Sequence, residues 1–258
     1  MSIGEWILLS LSRTPGKADY DQGDSELKVD NALDLLSRVY PSFSSLVSGK
    51  RVVDYGCGIG YQSIALVKRY GCAVMGVDSN EKTLAIAVEN AKAHNIPSDS
   101  LVFAECVSPE MLSGFDVVIS QNSFEHFRDP EKALNEMGAL LNSTGIVLLT
   151  FGPPWFSPYG SHMHFFCKVP WLNILFSERT VMNVRSRFRE DGAIRYEDVE
   201  SGLNKMTIAK FESIISLCGL RAQYKKYECV KGMNWLSRVP LLKELFVNNI
   251  SVVLSHAA

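Results

Sequence analysis

With 258 residues, 47% of them hydrophobic and 21% charged, the chain can bury one large core, and nothing in its composition forces a second domain. A formal net charge of −2 argues against a polyanion partner, so no nucleic acid is expected; the densest basic run, VRSRFREDGAIR, is interrupted by Glu190 and Asp191 and reads as a solvated face. No window reaches the roughly 18 apolar residues of a membrane span, the apolar stretch at 6–11 lacks the basic residues that precede a signal peptide core, and the six cysteines are scattered singly. A cytoplasmic protein with free buried thiols and no structural metal is the expectation.

In chain order, DSELKVDNALDLLSRVY (24–40) has helical apolar spacing and is closed by Pro41, with a polar stretch at 19–24 before it. It is a candidate cap over a ligand cleft. From 50 to 151, short apolar runs alternate with segments of helical period, the pattern of parallel strands joined by crossover helices. The strands are RVVDYG (51–56), AVMGVD (73–78), LVFAEC (101–106), FDVVISQ (115–121) and GIVLLTF (145–151). Among the helices between them, DPEKALNEMGALLNSTG carries Asp129 as N-cap, Pro130 in its first turn and Gly145 after its end. An insertion rich in Pro, Gly and aromatics fills 152–203, too long for a plain connection. A helix, LNKMTIAKFESIISLCG, and two terminal strands, LRAQYKKYECV and NNISVVLSHA, with a helical excursion at 236–246 between them, complete a single domain over 1–258. Its parts are a cap (1–48), an α/β core (50–151), a lid insertion (152–203) and a closing segment (204–258).

The strongest chemical signal is VVDYGCGIGYQS, where a buried strand delivers Asp54 into a turn of Gly56, Cys57, Gly58 and Gly60 before a helix starts. Such a turn presents backbone N–H groups to a ligand over the carboxyl end of the sheet. The spacing D-x-G-x-G-x-G departs from the G-x-G-x-x-G of dinucleotide binders, and Asp54 suits a cationic amine, met directly or through water, better than a pyrophosphate. Asp78, followed by Ser79 at the end of the second strand, can accept both hydrogen bonds of a ribose diol. Glu105 and Cys106 at the third strand's end stand where an adenine would pass. Gln121 and Asn122, then Glu125 and His126, follow the fourth strand at the cleft mouth. His126 is either a general base or a helix-turn residue. His162 and His164 in GSHMHFF lie on one side of an extended segment and could deprotonate an acceptor or only hydrogen-bond within a lid; no third metal ligand accompanies them. The aromatics Trp155, Phe156, Tyr159, Phe165, Phe166 and Trp171 form a satellite core, an apolar acceptor pocket, or both.

Taken together, VVDYGCGIG, GVDSN, FDVVISQNSFEHFRDPEKAL and GIVLLTF resemble the class I S-adenosylmethionine-dependent methyltransferases over 24–151. Within that group they are similar to the small-molecule branch of ubiquinone and menaquinone biosynthesis methyltransferases, where a Glu-His pair follows the fourth strand. The resemblance implies a Rossmann-like, seven-stranded, mostly parallel α/β sheet of order 3-2-1-4-5-7-6, strand seven antiparallel, with helices on both faces. It implies S-adenosylmethionine as cofactor and methyl transfer to a small-molecule acceptor. Asp54, Gly56, Gly58 and Gly60 would hold the methionine portion, Asp78 the ribose, and Glu105 with Cys106 the adenine surroundings. Two departures are visible: the acidic-alanine pair usual after the third strand is absent, and NSTG replaces the lysine-proline-glycine turn before the fifth. A non-catalytic nucleoside-binding module and a nicotinamide-dependent oxidoreductase are the competing readings. The acceptor atom and the oligomeric state are not legible.

Overall fold

The computed structural model describes residues 1–15, 25–199 and 202–257; the polar stretch expected at 19–24 lies outside them. One sheet of seven strands runs β3-β2-β1-β4-β5-β7-β6. Its members are β1 (Arg51–Tyr55), β2 (Ala73–Val77), β3 (Leu101–Ala104), β4 (Phe115–Gln121), β5 (Leu141–Phe151), β6 (Leu220–Cys229) and β7 (Val247–His256). The first five pair in parallel, and β7 runs antiparallel to both β5 and β6. This is the strand order that the family resemblance implies. The central strands are hydrophobic on both faces because helices cover both. Val53, Val118 and Leu149 pack with Leu134 and Phe211 on one side, and Val52, Ile119 and Leu148 pack with Leu36 and Ile64 on the other.

The helices are α1 (Ile3–Ser10), α2 (Ser25–Asn31), α3 (Asp34–Val39), α4 (Phe43–Val47), α5 (Tyr61–Tyr70), α6 (Glu81–Ala93), α7 (Pro130–Leu140), α8 (Leu172–Leu175), α9 (Glu178–Arg185), α10 (Ile208–Leu217) and α11 (Pro240–Phe246). Their starts follow local chemistry. The Asn80 side chain accepts from the Lys82 and Thr83 N–H groups at the head of α6, and Asp129 accepts from Lys132 N–H at the head of α7.

Three expectations need correction. The helix read over 24–40 is two, α2 and α3, broken at Ala32 and Leu33, and Val29, Leu33 and Leu36 all reach the core. The helix before the fifth strand stops at Leu140, well short of Gly145, because Ser113 and Gly114 N–H groups take the Ala139 and Leu140 carbonyls (2.8 and 3.1 Å) and draw the chain straight into β5. Gly145 lies inside that strand, where a Cβ would stand 3.0 Å from the Phe115 carbonyl. The basic run at 184–195 is only partly solvated: Arg185 is 4% exposed, held by Asp191.

The insertion has its own apolar core of Phe166, Val181, Met182 and Tyr196, and it recruits Leu8 from α1, an element unannounced by the sequence. Its aromatics divide: Phe166 is buried, Trp155 packs edge-on against Tyr196, Phe156 and Tyr159 are exposed, and Trp171 meets Phe246. Four of the cysteines are buried, whereas Cys106 is exposed and Cys218 half-buried. Among the described residues no helix is long and apolar enough to cross a membrane.

Candidate active site

β1 ends against the turn that defines the site. Gly56 adopts φ +82° and Gly58 φ +52°, a region side chains resist, and a Cβ on Gly56 would stand 2.7 Å from Ser123 Oγ. Gly60 has a different task. It caps α5, and a Cβ there would press on Ala87 and Phe103 at 3.0 Å, so it serves helix packing and lines neither cavity described below. Asp78 ties the next strand to this turn: Oδ2 accepts from Gly58 N–H at 2.9 Å and Oδ1 from Asn80 N–H at 3.0 Å.

Asp54 is buried beneath the turn, its carboxylate accepting from Gln62 Nε2 (2.5 Å) and Ser63 Oγ (2.6 Å). Burial outweighs those two bonds and pushes its pKa up to about 6, with the Asp78 charge adding to the rise. Asp54 therefore lies behind the ligand surface, and Gln62 stands in front of it. With Nε2 committed to Asp54, the Gln62 amide turns its Oε1 away, buried and without a hydrogen-bond partner. Gln62 and Ser63 were missed from the sequence; two polar residues in the first turn of a helix entering a hydrophobic core, just past a buried acid, were the available signal.

Two cavities flank the turn. One, of about 630 Å³, lies toward α2 and is lined by Lys28, Ala32, Cys57, Gly58, Gln62 and Gln121. Gln121 Oε1, like Gln62 Oε1, is buried without a partner there. Two unsatisfied carbonyl oxygens in front of a buried carboxylate suit an ammonium group, and Lys28 suits a carboxylate, so the donor set fits an aminoacyl end. The other cavity, of about 670 Å³, is bounded on the sheet side by Gly56, Asp78, Ser79, Asn122 and His126, and on the insertion side by His162, Met163, Phe165, Arg185 and Arg189. Asp78 with a polar floor fits a ribose. The residues present thus fit S-adenosylmethionine lying across the glycine turn.

The histidines separate. His126 Nδ1 stands 2.7 Å from the Gly202 carbonyl, which only accepts, so in the neutral ring Nδ1 is the donor and Nε2 the acceptor. His162 packs edge-on to His126, ring centroids 5.4 Å apart, and its Nε2 meets the Pro153 carbonyl at 3.3 Å. Burial, then the His126 charge, lowers its pKa to about 4. His162 and His164 do not share a face: a turn through His162, at φ +56°, sends His164 to the surface against Tyr159. Glu105 and Cys106 sit exposed in a bend after β3, which ends at Ala104, and line neither cavity. Glu125, one residue before His126, is 2% exposed; its Oε1 accepts from Gly152 N–H (3.1 Å) and burial raises its pKa, opposed by His126. Among the described residues no cluster of potential metal ligands occurs.

Residues 46–152 match the family model described as a methyltransferase domain. Ubiquinone biosynthesis O-methyltransferase of Chromobacterium violaceum is 30% identical over 128 residues, which cover 49% of this chain and 55% of that protein. The same-named protein of Pseudomonas aeruginosa is 34% identical over 105 residues, 40% of this chain and 45% of that one. The chain thus spans about half the length of the curated relatives it matches. In fold it is similar to an S-adenosylmethionine-dependent methyltransferase from Mesorhizobium loti, at TM-score 0.57 and 16% identity over 88% of this chain and 99% of the other. The seven-stranded sheet with one reversed strand, the glycine turn and the acid after β2 form a Rossmann-like arrangement similar to that of class I S-adenosylmethionine-dependent methyltransferase domains. Residues 46–152 match the methyltransferase-domain model and are similar to the ubiquinone biosynthesis O-methyltransferases.

Proposed function

We propose that the chain transfers a methyl group from S-adenosylmethionine to a hydroxyl oxygen of a small-molecule acceptor, with His126 Nε2 as the base. One observation carries the reading: the Gly202 carbonyl fixes the His126 tautomer, leaving an acceptor nitrogen in the same cavity as Gly56 and Asp78. When bound, the cofactor supplies a methyl carbon already activated by a sulfonium, so the chain's own residues have to align the acceptor, exclude water and take up one proton. His126 Nε2 would take up the hydroxyl proton of the acceptor as its oxygen receives the methyl group that the bound cofactor would supply. The imidazolium so formed lies beside the buried Glu125 carboxyl and opposes the rise that burial gives its pKa. His162 stays neutral next to it and braces the ring edge-on. The insertion walls one cavity and α2 the other. The choice of oxygen draws on the relatives, named O-methyltransferases.

The test is transfer of a labelled methyl group to hydroxylated aromatic probes, catechol first, by wild type and His126→Gln. Calorimetry with S-adenosylhomocysteine and NAD runs alongside it. Loss of a positioned base lowers turnover by about 10²–10⁴-fold, with homocysteine-nucleoside affinity unchanged. Undiminished turnover, or NAD bound in preference, defeats the proposal.

A further inference from the structure

We infer that the acceptor carries an anionic group, a carboxylate or a phosphate, bound by Arg185 and Arg189 on the insertion wall of the cleft; this rests on the reading of that cleft as the acceptor site. Arg185 ends α9 with its side chain 5% exposed, and its Nη1 and Nη2 donate end-on to the two Asp191 oxygens at 2.6 and 2.5 Å. The pair holds Asp191 at a pKa of about 2, so it stays ionised. A guanidinium has five donors in a rigid fork. The end-on pair uses two, leaving the side edge, and there Nε is buried without a hydrogen-bond partner. A buried donor left unsatisfied is costly, and the group that matches a guanidinium edge is a pair of oxygens on one anion.

Arg185 belongs to the insertion wall of the cavity. Arg185 and Arg189 both line it, as does Phe165, whose ring carries both guanidiniums at 6.0 and 5.0 Å from its centroid. Arg189 follows Arg185 by one turn, its N–H on the Arg185 carbonyl at 3.1 Å, which puts the two cations on one wall. Asp78 stands on the sheet side of the same cavity and repels an anion, so the acceptor is oriented with its charge toward the insertion. Met163, Val199 and Leu203 line the rest and suit an apolar body. The preferred acceptor is then a hydroxylated compound with an apolar middle and an acidic end.

The experiment uses the full chain saturated with S-adenosylhomocysteine and compares matched probes by calorimetry: 3,4-dihydroxybenzoate against its methyl ester, and phenyl phosphate against phenol. At least one anion is expected to bind about tenfold or more tightly than its neutral partner, as a charge-assisted bidentate contact requires. The two arms tell carboxylate from phosphate. In Arg189→Gln the preference falls to about threefold or less, while affinity for the neutral probe, S-adenosylhomocysteine affinity and Tm stay at wild-type values; Arg185→Lys, which also gives up the bidentate pair to Asp191, loses the same preference at a lowered Tm. A pair that only holds the fold would instead weaken charged and neutral probes alike in Arg185→Lys, leaving their ratio at the wild-type value, and that result overturns the inference. So does a wild-type protein that binds both members of each pair equally or neither, or a preference that survives both substitutions. If S-adenosylhomocysteine itself does not bind, the methyl-transfer reading fails separately, and the same probe comparison on the free protein still decides the anion site.

Discussion

Asp54→Asn separates the cost of a buried charge from its use. The carboxylate is 1% exposed and its pKa rises from an ordinary 3.8 to about 6, mainly through burial. At about 1.4 kcal/mol per unit, ionisation at neutral pH costs the ligand-free fold about 3 kcal/mol. Between about pH 4 and 6 the folded chain holds a proton the unfolded chain has released, so this group's contribution to stability is present at low pH and is lost as pH rises through that window. The introduced amide keeps an acceptor for Gln62 and offers an N–H to the Ser63 hydroxyl, so most of the packing survives. The ligand-free variant is therefore expected to melt at or above the wild-type temperature at pH 7, with the gap closing toward pH 4. Ligand affinity moves the other way. Opposite unit charges about 6 Å apart interact by about 3 kcal/mol at an effective dielectric of 20, which sets a loss of about a hundredfold in S-adenosylhomocysteine affinity. Wild-type affinity should also fall about tenfold per unit below pH 6, while the variant stays flat there. Calorimetry and thermal melts from pH 4 to 8 measure all of this. An affinity within about threefold of wild type at pH 7, or a Tm lowered by more than about 5 °C, refutes the argument.

Other substitutions test neighbouring parts of the site. Asp78→Ala removes the acceptor for Gly58 and Asn80 N–H groups as well as the proposed ribose contact, so S-adenosylhomocysteine affinity drops about tenfold or more, and an unchanged affinity takes Asp78 out of the site. Gly56→Ala forces a Cβ to 2.7 Å from Ser123 Oγ at φ +82° and costs about 3 kcal/mol; adding Ser123→Gly restores part of the lost Tm, and failure of that rescue would remove the clash as the cause. His162 is held near pKa 4 against an ordinary 6.5, so its stability contribution is present above pH 6.5 and lost as pH falls toward 4. Relative to wild type, His162→Asn should gain about 3 kcal/mol between pH 7 and 4 in denaturant titrations. A difference independent of pH contradicts that assignment.

The α/β class, the five parallel strands and the glycine turn were legible because period-2 and period-3.6 patterns and a D-x-G-x-G-x-G run are local properties. Asp78 was legible for the same reason: an acid at the end of a second strand has one place to go. Helix ends were less so. Gly145 was a fair stop signal, yet α7 ended earlier because the backbone at 113–114, distant in sequence, captured its last carbonyls. Pairings across the fold were out of reach. That Asp54 is buried behind Gln62, that Gly202 meets the His126 ring, and that a turn parts His162 from His164 all depend on contacts between distant or sharply bent segments. Arg185 shows the point most directly. In sequence it is one basic residue in a charged run, and only the tertiary structure, in which the insertion core packs with Leu8 of α1, shows it buried against Asp191 and placed on the cavity wall. Composition along a segment determines which element forms, whereas burial depends on what the rest of the chain brings against it, and burial is what gives a polar group its chemistry.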